Sequence, residues 1–585
     1  MSRTVGGQFK WTAAILSVVS ATAAAQSYRD VAPNPPPAPS RPTAPPSPPS
    51  PQSDSQQVAV PVLHGLIFVK DDGRTAVRSQ TLPPGQAVAA IELPVLDASF
   101  LAGFASDIGQ PLTFAGLARI RRAVIERFRA AGEPLVDVYV PEQDVNDGVV
   151  RIAVTEFHLG KVAARGNRYF SEAQLVREMP LKRGGSIRES DVSTGLALLN
   201  ANPYRSVDVV YAPGTGANAT DVILQTQDRL PLRVSAGYDN SGVAQLGRDR
   251  FFAGIDYGNL FGLDQQIAYR YTASNDLFGG NPPIEGRPDR PRYQAHSFSY
   301  SAPLPWFDRV EFFGVYAQST PRLDNDFNQT GVSSQFSFRY DRHLPFVDGW
   351  RQQVQFGYDF KRSNNDLEFG GTQVFTANSH VHQFLVAYDA NKSDALGQTH
   401  GNVALFASPG HLDGNNTDTA FQDMRNGATA RYTYVQLLAE RTVSIGAGFS
   451  FSARGQFQWT PNTLLPSEEM GLGGDDTLRG YTPYSVQGDR GWNVQTELRT
   501  PAFAFFGDDG PAFQPYVFLD AGHVWNKFDQ PGEVQAGMLS SVGVGVRFQW
   551  SRFVNARLTY GQPLRAAVPG GSKAPIAQVS VVIGS

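Results

Sequence analysis

Cysteine is absent from the 585 residues of this chain, and charge of either sign is scarce. Without cysteine the chain has no disulfide framework, no Cys-ligated zinc and no Cys nucleophile, a composition that suits passage through an oxidising compartment. Charged residues make up 18% of the chain and the formal net charge is −4. These values give no bulk electrostatic attraction to nucleic acid, so nucleic acid is not an expected partner.

Long apolar runs are missing after the N-terminus, where no run reaches the ~18 residues of a membrane-spanning helix. Any insertion into a membrane must therefore be by strands. Residues 1–25 predict a secretory signal peptide, with positive charge from Arg3 and Lys10, a short apolar core and small residues at Ala23–Ala25 for cleavage. A membrane anchor helix is the alternative, and the short core counts against it.

The motifs of common enzyme classes are also missing. The sequence has no Gly-x-Ser-x-Gly elbow, no His-Glu-x-x-His pair and no Walker loop. We therefore expect no enzyme, no cofactor and no metal site. Asp475 and Asp476 could suggest a metal-binding carboxylate pair, but their glycine neighbours favour an ordinary loop. His523, which lies near Asp520 in sequence, is expected to be structural or solvated.

What the chain has in abundance is alternation of apolar with polar or small residues, from Leu230 to its end. Val354 to Phe360 is one such stretch and Val542 to Trp550 is another. Successive side chains of a strand point to opposite faces, so each stretch predicts one apolar face and one polar face. Frequent aromatics on the apolar face are typical of a transmembrane β-barrel. Residues 230–585 suffice for about sixteen antiparallel strands, at about twenty residues per strand and connection.

A soluble β-sandwich is the alternative architecture, because soluble sheets alternate too. The aromatic apolar face, the Gly, Ser, Gln and Arg of the other face and the export signal favour the barrel. Before it, residues 26–61 are Pro-rich and predict an extended periplasmic linker, with a PxxP recognition segment as the alternative. Residues 62–157 and 158–229 each predict a β-α-α-β-β unit. The expected fold class is a membrane β-barrel preceded by two α+β domains.

The clearest helix lies in the first unit, with Thr113 as its expected N-cap. Its apolar face consists of Leu117, Ile120, Val124 and Phe128. A basic run covers much of the remaining surface and predicts a solvated face, with a client-binding face as the alternative; it consists of Arg119, Arg122, Arg127 and Arg129. In the second unit, Ser171 with Gln174 predicts a capping box, and Ser190 is the expected N-cap of another helix.

Five short motifs stand out in the two units and at the start of the barrel. They are Gln110-Pro111-Leu112-Thr113, Tyr139-Val140-Pro141-Glu142-Gln143-Asp144, Asn202-Pro203-Tyr204-Arg205, Ala212-Pro213-Gly214 and Gly237-Tyr238-Asp239-Asn240-Ser241-Gly242. They resemble the TpsB family, the outer-membrane transporters of two-partner secretion of the haemolysin secretion/activation type. The small domains of that family are called POTRA domains, so the resemblance implies that 62–157 and 158–229 are POTRA domains.

Two further motifs lie deep in the barrel segment. They are Leu478-Arg479-Gly480-Tyr481, which ends a glycine-rich run from Gly473, and Phe518-Leu519-Asp520-Ala521-Gly522. They resemble the tip of the family's long sixth loop and its Phe-x-Asp-x-Gly strand. The resemblance implies that the loop, residues 461–490, folds into the lumen and that Arg479 pairs with Asp520. The implied functional positions are Leu478, Arg479, Gly480, Tyr481, Phe518, Asp520 and Gly522.

General chemistry supports the pairing of Arg479 with Asp520. A guanidinium can fork onto a carboxylate bidentately, which fixes direction as well as attraction. An unpaired carboxylate in a tight lumen would be costly. By alternation Phe518 and Asp520 share one face of their strand. The sequence leaves open whether both point inward or that face is mixed.

The resemblance implies translocation, with activation as a further option, of a secreted TpsA-like exoprotein across the outer membrane of a Gram-negative bacterium. The POTRA domains would lie in the periplasm and capture the unfolded client at their sheet edges. Outer-membrane lipid and the barrel assembly machinery are the other implied partners. An assembly or insertion factor of the same superfamily and a passive porin are the alternatives. One departure is the C-terminus, which ends at Ser585 without the terminal aromatic of many bacterial barrels.

Overall fold

The computed structural model describes residues 31–33, 55–72, 77–243, 246–278, 291–321, 327–369, 372–504, 510–528, 537–551 and 553–584. The predicted signal peptide lies outside the described residues. The chain forms two compact units, one of residues 38–230 and one that contains residues 231–585 together with the N-terminal stretch to Pro37. Among the described residues, no helix has both the length and the hydropathy needed to cross a membrane.

The first small domain has a four-stranded sheet of order β3-β2-β6-β5, in which β2 runs parallel to both neighbours. Its elements are β1 (Val58–Val60), β2 (Gly65–Lys70), β3 (Val88–Ile91), α1 (Ala98–Ala102), β4 (Leu112–Thr113), α2 (Phe114–Ala130), β5 (Val136–Tyr139) and β6 (Val149–Glu156), with 3-10 turns at Val77–Ser79 and Ala105–Asp107. Strands β1 and β4 pair separately. Strand β3 is an addition to the predicted β-α-α-β-β order.

Helix α2 buries the predicted apolar face. Ile120, Val124 and Phe128 are fully buried against the sheet, and the Thr113 hydroxyl accepts a hydrogen bond from the Gly116 N–H at 3.1 Å. The basic run is a solvated face held by ion pairs: Arg119 to Asp107 and Arg127 to Asp97, each at 2.5 Å with well-exposed arginines.

The second domain has a three-stranded sheet of order β7-β9-β8. Its elements are β7 (His158–Arg165), α3 (Glu172–Arg177), α4 (Glu189–Leu199), β8 (Arg205–Pro213) and β9 (Ala219–Asp228). Ser171 caps α3 as predicted, but α4 begins at Glu189 with Arg188 at the N-cap position, so Ser190 lies inside its first turn. The side chain of Arg205 is fully buried, 2.5 Å from Glu178 and stacked on the Phe170 ring.

The unit that contains residues 231–585 is a closed antiparallel barrel. The described residues provide sixteen long strands and one two-residue strand, β24. They are β10 (Leu232–Asp239), β11 (Arg250–Leu260), β12 (Gln265–Ser274), β13 (Tyr293–Pro303), β14 (Arg309–Ser319), β15 (Phe327–Val347), β16 (Trp350–Phe369), β17 (Thr372–Asp394), β18 (Gly397–Pro409), β19 (Arg431–Gly446), β20 (Phe449–Trp459), β23 (Arg490–Arg499), β24 (Phe503–Ala504), β25 (Ala512–Trp525), β26 (Met538–Trp550), β27 (Val554–Pro563) and β28 (Ile576–Gly584). Strand β28 pairs with β10 and closes the ring. The predicted sixteen-stranded barrel is confirmed.

The connections contain further short elements. They are the 3-10 turn Asn275–Phe278, helix α5 (Asp418–Met424), and strands β21 (Met470–Leu472) and β22 (Val486–Gly488). The apolar face of the strands points outward: Val542, Val544 and Trp550 are 42%, 54% and 54% exposed. A lipid-facing surface of this kind is what a membrane barrel needs. Its alternating partners line the lumen.

One part of the predicted linker packs with the barrel. Val31 is buried among lumen-facing side chains that include Tyr293. The Ser297 hydroxyl donates to the Val31 carbonyl at 2.5 Å, and Arg270 Nη1 donates to the Ala32 carbonyl at 2.9 Å. The prediction of a linker over all of residues 26–61 is therefore corrected at residues 31–33, where two lumen side chains bond the backbone. It is also corrected at β1 (Val58–Val60), which pairs with β4 of the first small domain.

Candidate functional site

The long loop between β20 and β23 spans residues 460–489, one residue earlier at each end than the predicted 461–490, because Arg490 already belongs to β23. It folds into the barrel as a hairpin. Strands β21 and β22 form its antiparallel stem, and residues 473–485 form its tip. Leu478 is fully buried and Arg479 is only 5% exposed. The side chains that bury them come from the inward faces of β23, β25 and β26 and from the stem of the loop itself, so the tip is packed against the barrel wall.

At the tip, Arg479 forms a forked ion pair with Asp520 of β25. Arg479 Nε donates to Asp520 Oδ2 at 2.9 Å, and Nη2 donates to Oδ1 at 2.7 Å. The backbone N–H of Arg479 also donates to Oδ2, at 3.0 Å. Asp520 is fully buried. Three donors on one carboxylate satisfy a charge that would otherwise be expensive to bury.

A second carboxylate, which the sequence reasoning missed, also binds Arg479. Arg479 Nη1 donates to Glu497 Oε2 at 2.6 Å, and the other oxygen of Glu497 accepts from Arg499 and Arg547. Glu497 lies on β23, directly opposite Phe518 of β25. The alternation of β23 could have predicted this role, because it places Glu497 on the inner face of the strand. That strand is the neighbour of the Phe-x-Asp-x-Gly strand.

Phe518 and Asp520 both point inward, which settles the question that alternation left open. Phe518 is 3% exposed, and the Arg479 guanidinium lies 3.9 Å from its ring centroid, a cation–π contact. The ring covers Gly543 of β26, where an added Cβ would meet it at 2.5 Å. An aromatic faces the lumen here because a glycine on the next strand makes room for it.

The other predicted positions shape the contact between tip and wall. Leu478 packs on Gly522, where a Cβ would lie 2.9 Å from Leu478 Cδ1. Gly480 has φ +86° and meets the backbone of Gly561 on β27; a Cβ on Gly480 would lie 3.0 Å from the Gly561 carbonyl carbon. A side chain at Gly480 or Gly522 would therefore push the tip off the wall.

Tyr481, which follows Gly480, attaches the tip to the wall through its hydroxyl group. Its hydroxyl lies 2.8 Å from the carbonyl oxygens of both Ser540 and Arg565, and can donate its proton to one of them at a time. The ring is 4% exposed. All seven predicted positions therefore meet in one buried contact region between the loop and the wall.

The loop is also tied down along its length. Lys361 of β16 binds Glu468 at 2.8 Å. Arg425, just after α5, binds Asp489 at 2.6 Å and Glu469 at 3.0 Å. These ion pairs act before and after the hairpin stem, so the loop is held at its base as well as at its tip.

Asp475 and His523, the other two residues considered in the sequence analysis, have structural contacts. Asp475 forms an ion pair with Arg557 of β27, and within the described residues no group of His, Asp or Glu has an arrangement that could hold a metal ion. His523 stacks on Trp525 at 5.3 Å between centroids. Asp475 is thus part of the loop-to-wall contact, whereas Asp476 is exposed.

The second small domain has an open sheet edge at β8, which is an outer strand of its sheet. In the second domain, Asn200 caps the edge of β8 by accepting from the Val207 N–H at 2.8 Å and donating to its carbonyl at 2.9 Å. Beyond this cap, in the described part of the chain, no backbone group pairs with the outer edge at Val209 and Tyr211. The neighbouring Val210 is 50% exposed. An open edge flanked by apolar side chains can accept an extended segment.

Comparison with known protein families gives a match for most of the described architecture. The family model described as "Haemolysin secretion/activation protein ShlB/FhaC/HecB" matches residues 218–548, just over half of the chain. A second, "POTRA domain, ShlB-type", matches residues 98–156. The match to the second model coincides with α1, α2, β5 and β6.

Curated relatives and solved structures agree with these matches. Outer membrane transporter CdiB-2 of Burkholderia pseudomallei is 24% identical over 490 residues, covering 81% of this chain and 78% of the relative. Hemolysin transporter protein ShlB of Serratia marcescens is 23% identical over 427 residues, covering 69% of each. The structure of CdiB from Escherichia coli superposes with a TM-score of 0.74 at 17% identity, covering all of both chains, which supports the fold.

Proposed function

Because this chain belongs to the family of haemolysin secretion/activation proteins, we propose that its loop 461–490 is the element that opens the barrel for a partner exoprotein. The chain is an outer-membrane transporter of two-partner secretion, with its POTRA domains in the periplasm. It translocates a secreted partner protein across the outer membrane. The observation that carries the proposal is the buried Arg479–Asp520 pair, which fixes the loop inside the barrel lumen.

Client capture by the POTRA domains is the first step of the proposed mechanism. Backbone pairing at the open β8 edge binds an extended segment with little regard to its sequence, which suits an unfolded client. The exposed Val210 adds apolar contact beside that edge. Replacing Val209 by Pro removes one edge donor, whereas Val209→Ala keeps it. We expect reduced client binding and secretion for Val209→Pro only.

We propose two further partners for the barrel. Its outward apolar and aromatic face matches the hydrocarbon of outer-membrane lipid. The barrel assembly machinery is the proposed route for its own insertion, which ends when β28 pairs with β10 over five residue pairs and closes the ring. We propose no cofactor and no enzymatic step.

The testing experiment compares secretion of an exoprotein encoded beside this chain in cells with and without the chain. Exoprotein on the surface or in the medium only when the chain is present supports transport. Unchanged export together with depletion of other outer-membrane proteins would favour the assembly-factor alternative. Unchanged export with altered uptake of small solutes would favour the porin.

A further inference from the structure

Three neighbouring strands of the barrel extend past the ends of the strands on either side of them. Strands β15, β16 and β17 have 21, 20 and 23 residues, whereas β14 and β18 end at Ser319 and Pro409. The ladder from β15 to β14 stops at Gly331, and the ladder from β17 to β18 stops at Phe384. Residues 327–330 and 372–383 therefore form, with β16 between them, a three-stranded extension.

The extension stands at the extracellular end of the barrel. The chain passes from the periplasmic POTRA domains at Leu230 directly into β10, so β10 starts at the periplasmic end. Counting alternate directions from β10, β15 and β17 run from the extracellular end toward the periplasm. The starts of β15 and β17 are thus the parts farthest from the periplasm, beside the mouth through which a translocated chain leaves.

The edge of the extension at β17 is suited to pairing. The N–H of His380 points away from β16 and donates to the Asn415 carbonyl at 3.0 Å, and Asn416 Nδ2 donates to the His380 carbonyl at 2.8 Å. The loop after β18 thus already pairs with this edge at its lower end. By the two-residue period, the backbone groups of Asn378 and Thr376 point the same way.

Above His380 the edge has no hydrogen-bonded strand beside it among the described residues. No strand or loop there bonds to the outward backbone groups of Asn378 or Thr376. The edge sequence, residues 372–379, is Thr-Gln-Val-Phe-Thr-Ala-Asn-Ser. It has no proline and no charge, which are the usual devices that keep an edge from pairing, although one bulge interrupts its ladder with β16 between Leu367 and Glu368.

We propose that residues 372–379 form a strand-addition site for the exoprotein as it leaves the barrel, so that its first extracellular strand forms on β17. The inference goes beyond translocation and rests on it for the identity of the occupant. An extended chain that emerges beside an open edge finds backbone partners immediately, which lowers the entropy cost of its first strand. The transporter then starts folding of its client as well as passing it.

Thr376 and a matched control provide the first test. Thr376→Pro removes the N–H that faces the open edge and leaves the ladder to β16, while Thr376→Val keeps that N–H but loses the same hydroxyl bond to Asp366. We expect protease-resistant exoprotein outside the cell to appear about two- to tenfold more slowly in Thr376→Pro than in Thr376→Val, the range for one backbone hydrogen bond. Equal rates would overturn the proposal. If exoprotein still reaches the outside but stays protease-sensitive, transport is intact and only folding has failed. If no exoprotein reaches the outside, transport itself has failed.

Crosslinking identifies the occupant. The chain has no cysteine, so Asn378→Cys on the edge and Asn364→Cys directly opposite on β16 give two single-thiol transporters. With single cysteines placed in a stalled exoprotein, we expect disulfides to Asn378→Cys and at least several-fold fewer to Asn364→Cys. Equal crosslinking of both, or disulfide-linked pairs of transporters in place of exoprotein adducts, would overturn the assignment.

Discussion

Replacing Arg479 by Ala tests whether the loop-to-wall ion pair controls secretion. The substitution removes both side-chain donors to Asp520 and the donor to Glu497. Asp520 is fully buried and keeps two donors, the backbone N–H of residue 479 at 3.0 Å and the side chain of Gln495. Glu497 retains Arg499 and Arg547, so its own loss is small. The cost therefore falls mainly on one stranded carboxylate.

Breaking a buried pair by removing one partner costs about 3–5 kcal/mol. We expect the lower part of that range here, because two donors remain and lumen water can reach the vacated space. The cost applies to docking of the loop and leaves the ladder of the barrel untouched, since no strand residue changes. Arg479→Ala should therefore impair secretion far more than it lowers the amount of folded barrel.

The assay measures both quantities in the same cells. Folded barrel is measured by heat-modifiable migration on gels, and transport by the rate at which exoprotein appears outside. Arg342→Ala is the matched control, because the Arg342 side chain is 57% exposed and pairs with Asp308 at 3.1 Å, and Asp308 keeps the Tyr340 hydroxyl as a donor when Arg342 is removed. Normal secretion by Arg479→Ala would refute the assigned role.

A double-mutant cycle tests direct pairing. Arg479→Asp and Asp520→Arg should each fail, and the combined reversal should recover part of the lost docking, because the two side chains contact each other. Docking of the loop is measured by protease protection of residues 461–490. Additivity of the two single effects would show that the residues act independently.

The remaining predictions concern the tip and the POTRA domains. Gly480→Ala should undock the loop, whereas Gly570→Ala, at another positive φ (+74°) but with open space around it, should cost only the strain of about 1 kcal/mol; equal effects on protease protection would refute the steric argument. Arg205→Ala strands its buried glutamate partner and should lower the free energy of unfolding of the second POTRA domain by about 3 kcal/mol, read from denaturant melts. The Asp71 carboxylate accepts a hydrogen bond from Tyr139 and raises the pKa of Tyr139 from 10.0 to about 12. Because this favours the protonated phenol, the contact is present below pH 10 and is lost as pH rises toward 12; Asp71→Asn should bring the pKa of Tyr139 back toward 10 in ultraviolet difference titrations.

Alternation with an aromatic apolar face predicted the barrel, and the length of residues 230–585 predicted its approximate strand number. The prediction works because a lipid-facing surface and a polar lumen impose the same two-residue period on every strand. It fails locally where an aromatic points inward. Phe518 and Tyr516 face the lumen because Gly543 and Gly545 on β26 lie under their rings, at 2.5 and 2.3 Å from an added Cβ. That compensation is between strands, so no single strand reveals it.

Contacts between residues that are distant in the chain could not be predicted from the sequence either. Glu497 joins Arg479 because β23 and β25 are neighbours in the barrel, and Val31 is buried because distant lumen side chains bond its backbone. Neither follows from local propensity. In the first POTRA domain, the four-residue β3 is too short for its period to stand out, and its pairing with β2 is what defines it.

The use of a buried ion pair at the tip, where an apolar contact could hold as firmly, has a physical reason. Replacing a buried pair by apolar residues of similar volume is often neutral or stabilising by about 1–4 kcal/mol, so docking strength alone does not require Arg479 and Asp520. When the loop leaves the wall, however, water hydrates both charged groups and offsets part of the lost attraction. An apolar contact that is opened in the same way exposes apolar surface to water, so its opening costs more free energy. The double variant Arg479→Met with Asp520→Leu should therefore keep the loop protease-protected and the barrel stable, yet secrete several-fold more slowly than the parent. Normal secretion by this variant would mean that the charges have no part in release of the loop, and loss of protection would mean that they are needed for docking itself.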